Sequence, residues 1–324
     1  MRKLPLLYVV MLRYRVAAMV VLFMLLGATR GPGLDLAWTH ALAAVALGSS
    51  YVSATALNDL ADEAIDKVNH PRDAGRPLVE ETASRRELSV LAVLAAALAV
   101  AAALPLGTAA VAVVLLSLLV SQMYSARPVR LSYRVAGAPL ALAVAYVLVP
   151  YVLGIAAARG EVSAAFSRFT LALLLLFCAR IVLKDFRDRV GDAQFGKPTL
   201  LLRYGKTATC GVSLCALAAA DALLLTALAP AVALLAQPFV AAIAAMLWRL
   251  WRSDDSHAEQ VAIGIGARMG NGLLLSLLAW LIVNDGGGSQ VDALAVGATV
   301  AALFLVSFVG LLRAPGEVAI GYKG

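Results

Sequence analysis

The chain has 324 residues, 62% of them hydrophobic and 15% charged, with a mean hydropathy of +0.86. A soluble domain is about 45–50% apolar, so this composition excludes a soluble globular protein, describes a polytopic membrane protein, and leaves length uninformative about domain number. The net charge of +7 lies in short loops between apolar runs, as in positive-inside loops, and does not point to nucleic acid.

Apolar runs near 8–28, 37–57, 88–106, 109–123, 136–156, 165–183, 208–228, 230–250, 266–284 and 292–312 predict nine or ten transmembrane helices. Most meet the requirement of about 20 residues at about 1.5 Å rise each. The first run has no small-residue cleavage site behind it and is expected to be a retained helix. The run at 109–123 is short and is expected to form a tight hairpin with its predecessor across Leu104-Pro105-Leu106-Gly107. All Lys and Arg residues except Arg30, Arg159 and Arg168 fall on one side of this layout, which places that side in the cytoplasm. The expected fold is all-α, a single membrane domain over 1–324, with its helices bundled around a central cavity open to lipid.

Two stretches on the basic side carry the chemistry. Asp59, Asp62 and Asp66 close the second apolar run, and Asp185, Asp188 and Asp192 repeat their spacing after the sixth. On a helix this spacing stacks three carboxylates on one face, where like charges repel. A solvated acidic surface is the plain alternative. Against it stand the repeat of the spacing, the basic residues that follow (Lys67, Arg72 and Arg76, then Lys197 and Arg203), and the cost of acidic groups close to hydrocarbon. Oxygen ligands without His or Cys suit magnesium, which binds through one or two carboxylates plus substrate phosphates. Neighbouring arginines take phosphate oxygens directly. The pattern therefore reads as a site for Mg2+ and a lipidic diphosphate, its head at the loops and its tail among apolar helices.

Asn58-Asp59-x-x-Asp62-x-x-x-Asp66, with Arg72 and Arg76-Pro77 behind it, resembles the first signature of the UbiA superfamily of intramembrane prenyltransferases. Asp185-x-x-Asp188-x-x-x-Asp192, with Gly196 and Thr199-Leu200, is similar to the second, and Tyr124-Ser125-Ala126-Arg127-Pro128 to a third loop. The resemblance covers most of the chain. It implies that Asn58 and the six aspartates hold Mg2+ and a prenyl diphosphate, that Arg72, Arg76 and Lys184 neutralise phosphate, and that Tyr124 lines the pocket beside the ionising bond. Where some members have Lys four residues after the loop Tyr, this chain has Pro128, so Arg127 or Arg130 takes that part. The implied reaction is loss of diphosphate from an allylic carbon and capture of the cation by an aromatic or lipid acceptor. Two other readings stay open: a terpene cyclase on the same scaffold, and an ion-coupled transporter with an acidic site.

Remaining candidates are weaker. His40, His70 and His257 lack metal-ligand spacing. Cys178, Cys210 and Cys215 read as packing residues. Arg13 and Arg15 read as interfacial anchors, with a cavity-facing Arg13 as the alternative. Asp221 reads either as an outer-loop residue or as one facing the bundle interior.

Overall fold

The structure is a computed structural model that describes residues 3–31, 38–71, 73, 75–160, 164–285 and 287–314. Every regular element among the described residues is helical. Among the described residues eight helices are long and apolar enough to cross a membrane, or nine if one bent pair counts as a single span. The chain clusters into two compact units: residues 1–160 with 188–199, and residues 161–187 with 200–323.

The first unit begins with that bent pair. The run at 8–28 is expected as one helix, but α1 (Leu4–Met11) and α2 (Tyr14–Ala28) meet at a 68° bend. Arg13 sits in the break with φ 43° and ψ 64°, the left-handed region that non-glycine residues seldom occupy. α3 (Trp38–Asn69) runs unbroken for 32 residues, about 48 Å. Asp59 stands about 32 Å along it from Trp38, close to the thickness of the hydrocarbon core, so the acidic end extends past the lipid.

α4 (Arg85–Ala103) opens on a capping box: Ser84 accepts from the Glu87 amide while the Glu87 carboxylate accepts from the Ser84 amide. The expected hairpin follows, with Gly107 at φ 101° between α4 and α5 (Thr108–Ser125). The next span joins α6 (Gly137–Ala143) to α7 (Val149–Ala157) through a wider turn at Val144–Leu148. Pro150 has no amide to bond the carbonyl four residues back, and the winding loosens just before it. α2 and α7 meet at small residues. A Cβ on Gly27 would lie 1.9 Å from the Tyr151 carbonyl oxygen, and one on Gly154 would lie 1.9 Å from that of Met24.

The second unit contains α8 (Ala164–Ile181), the start of α9 (Asp185–Gln194), α10 (Leu200–Ala227), α11 (Pro230–Arg252), α12 (Ser256–Asp285) and α13 (Gln290–Arg313). α12 is mostly buried, whereas Leu303, Val306 and Val309 of α13 are exposed, as suits a lipid-facing helix. Lys206 donates to Glu259 at 2.7 Å and to the Ser253 carbonyl, tying the head of α10 to that of α12. Asp221 accepts from Gln237 at 2.8 Å between α10 and α11, so a side-chain amide satisfies this carboxylate within the span.

Candidate functional site

α3 presents Tyr51, Thr55, Asp59, Asp62 and Asp66 at steps of three and four, all on one buried face. The Thr55 hydroxyl donates to the Met11 carbonyl at 3.0 Å and holds the end of α1 beside the break. One turn further along α3, Arg13 reaches Asp59, with Nη2 at 2.7 and 2.8 Å from its two carboxylate oxygens. The bend in the first span thus delivers a guanidinium to the first aspartate.

The turn after α3 delivers a second one. Asp73 accepts from the Gly75 amide at 2.9 Å, and the Arg76 amide donates to the Asp73 carbonyl at 2.9 Å. The Arg76 side chain lies between two aspartates, bonded to Asp66 and 3.4 Å from Asp59. A third guanidinium comes from the loop after α5. Arg130 lies 3.7 Å over the Tyr133 ring and donates to Asp62 at 3.0 Å and to the Ala61 carbonyl at 3.2 Å.

Residues 188–199 bring the second acidic stretch against the end of α3. Asn69 accepts from the Gly191 amide at 2.6 Å, and a Cβ at Gly191 would sit 2.7 Å from the Asn69 oxygen. His70 faces Asp188 at 3.2 Å. Lys197 lies 3.4 Å from Asp62 and 3.7 Å from Asp192, so one ammonium spans both acidic stretches. The cluster therefore sets Asp59, Asp62, Asp66, Asp188 and Asp192 against Arg13, Arg76, Arg130, Lys197 and His70. Asp59, Asp62 and Asp66 are only 2%, 5% and 6% exposed, a depth at which removing a partner strands a charge.

The other expected residues fall as follows. Asp185 and Lys184 belong to the second unit, with Asp185 buried one turn ahead of Asp188 on α9. Tyr124 is buried at the end of α5. Asn58 is partly buried, and its side chain makes no hydrogen bond among the described residues. Arg127 is exposed and makes no hydrogen bond or ion pair among them, so Arg130, not Arg127, meets the carboxylates. Arg72 lies outside the described residues. Asn69 and His70 were not anticipated as contact residues, although their place one turn beyond Asp66 was the available signal.

Among the described residues no three His, Cys, Asp or Glu side chains converge as a ready metal cage. The stacked carboxylates called for a compensating cation, and here the chain's own Arg and Lys groups supply it. The donor set itself fits a hard divalent ion. It is all oxygen, it draws on both acidic stretches, and the Lys197 ammonium holds two of its carboxylates within reach of one charge.

An all-helical, multi-pass membrane protein with buried carboxylates and arginines at the end of a long span defines the class. Residues 16–272 match the UbiA prenyltransferase family, and the chain belongs to it. No curated protein matches. Among solved structures, the fold is similar to one described for digeranylgeranylglyceryl phosphate synthase in membranes, at TM-score 0.66 and 17% identity, covering 87% of this chain and 99% of that one. It is also similar to a UbiA homologue from Archaeoglobus fulgidus bound to GPP and Mg2+, at TM-score 0.59 and 16% identity over 95% and 99%. An apo UbiA homologue from Aeropyrum pernix K1 aligns at TM-score 0.55 and 21% identity over 90% and 97%.

Proposed function

We propose that this prenyltransferase catalyses Mg2+-dependent transfer of a prenyl group from an allylic prenyl diphosphate to an aromatic or lipid acceptor. The observation that carries the reading is the sharing of cations. Arg76 serves both Asp59 and Asp66, and Lys197 serves both Asp62 and Asp192. Cations shared in this way already bridge pairs of carboxylates. Arg13, Arg76, Arg130 and Lys197 would serve the diphosphate oxygens, leaving the carboxylates free to hold the metal. Asp59, Asp62, Asp66, Asp188 and Asp192, with Asp185 beside them in sequence, would hold Mg2+, which when bound draws charge from the leaving diphosphate. Arg76 binds and orients the diphosphate, with Arg72 and Lys184 as further phosphate ligands. Tyr124 lines the pocket beside the allylic carbon, and apolar side chains keep water from the cation. The binding of GPP and Mg2+ by the Archaeoglobus homologue supports the same ligand pair here.

The test is to incubate membranes containing the full chain with a labelled prenyl diphosphate, Mg2+ and a lipid extract, and to identify the product. A prenylated acceptor whose formation stops with chelator and resumes with added Mg2+ is expected. A cyclised hydrocarbon formed without any acceptor would replace transfer by cyclisation, and ion flux in vesicles without turnover would replace both. The distribution of Lys and Arg supports a cytoplasmic position for the acidic loops. Cysteines introduced at Val68, Arg127 and Ala193 should react with an impermeant thiol reagent from that face alone.

A further inference from the structure

α12 carries a stripe that its packing leaves uncovered. Gln260, Arg268, Asn271, Leu275, Ala279 and Ile282 follow helical spacing and are partly or fully exposed on an otherwise buried helix. The stripe is polar over its first half and apolar over its second. Arg268 lies about 26 Å along the helix from Asp285, near the inner limit of a hydrocarbon core of about 30 Å. It makes no hydrogen bond or ion pair among the described residues. A charged side chain at such depth marks a functional position by default.

A second guanidinium is held beside it. Arg180 of α8 donates to the Ala267 carbonyl at 2.9 Å and reaches the Asn271 side-chain oxygen at 3.4 Å. Its head group lies over Gly270, where a Cβ would stand 2.4 Å from Nη1. Ala267 and Asn271 flank Arg268 in sequence, so Arg180 is anchored to α12 within one turn of Arg268.

We propose that this stripe binds an anionic amphiphile with a phosphate monoester or carboxylate head. The head pairs with Arg268 beside Arg180 and Asn271, and the chain lies outward along Leu275, Ala279 and Ile282. Charge complementarity selects the head, and the polar-to-apolar order of the stripe sets the direction of the chain. The site lies within the second unit, and the inference does not depend on prenyl transfer. An arginine that merely reaches up to bulk lipid head groups would need no second guanidinium held close by, as Arg180 is held over Gly270 and against Asn271.

The test is equilibrium binding of radiolabelled dodecyl phosphate to the full chain in neutral maltoside micelles, without prenyl diphosphate. Saturable binding to one site is expected, displaced by dodecanoate but not by dodecanol, and not by inorganic phosphate at the same concentration. Arg268→Gln should weaken it at least tenfold, and Asn271→Ala several-fold through the loosened Arg180. Arg268 is exposed and makes no ion pair among the described residues, so its substitution should leave the fold intact, and Asn271→Ala supplies an independent readout. Non-saturating uptake that is unchanged in both variants would overturn the proposal. Displacement by inorganic phosphate as effective as by dodecyl phosphate would overturn the role of the chain.

Discussion

The two acidic stretches share one spacing and the Lys197 ammonium but differ in the helices that carry them. Asp59, Asp62 and Asp66 sit on a 32-residue helix, deeply buried, and three arginines from three separate segments face them. Asp188 and Asp192 ride on a ten-residue helix, faced by an imidazole and by an ammonium shared with the first stretch. α3 is fixed by its apolar length in the membrane. The second stretch is tied to the end of α3 by Asn69, His70 and the Lys197 link to Asp62. Equal spacing therefore does not mean equal roles: the first stretch is the frame and the second is docked upon it.

The sharpest way to break this comparison is to remove one side-chain partner from each stretch. Arg76→Ala leaves Asp66 without its guanidinium in a buried setting and should cost about 3–5 kcal/mol of stability. His70→Ala, facing the more exposed Asp188, should cost about 1–3 kcal/mol. Denaturation of the purified protein in detergent reads both, and equal losses would show that the stretches are equivalent.

Turnover comes next. Asp62→Ala and Asp188→Ala should each lower it at least about a hundredfold, the scale of losing a key electrostatic group. Near-normal turnover by folded Asp188→Ala would make the second stretch a scaffold only. Docking itself is probed by Gly191→Ala, whose Cβ meets the Asn69 side chain at 2.7 Å and should cost about 1–3 kcal/mol. Adding Asn69→Ala should recover part of that loss, a coupling that a double-mutant cycle measures. The smallest effect belongs to Arg127→Ala. With the side chain exposed and unpaired, stability should stay within about 0.5 kcal/mol. Arg130→Ala should in contrast weaken prenyl diphosphate binding about tenfold or more, as removal of a buried charge partner does.

Much of the fold was legible because a membrane span declares itself by apolar length. The hairpin at Gly107 was readable from its Pro and Gly. The break at Arg13 was not, since Met11-Leu12-Arg13 contains neither a proline nor a glycine and the contacts that accompany it, Thr55 to Met11 and Asp59 to Arg13, come from a distant helix. The aspartates were legible from their period. Their partners were less so: Arg13 and Asp59 are separated by 46 positions and Arg130 and Asp62 by 68, and no local pattern reports such pairings. His70 has no metal-ligand spacing to mark it, and its relevant property is its place just past the helix end.

Because Asp59 stands about 32 Å along α3 and Asp66 about 10 Å beyond it, cleavage of an amphiphilic diphosphate there would happen on a phase boundary. The hydrocarbon fragment remains dissolved in oil, and the released anion escapes into water. Recombination then requires two species in different solvents to return to the same small volume, where their effective concentration is low. A helix three turns longer than the bilayer needs would thus make the reaction drain forward by partition alone.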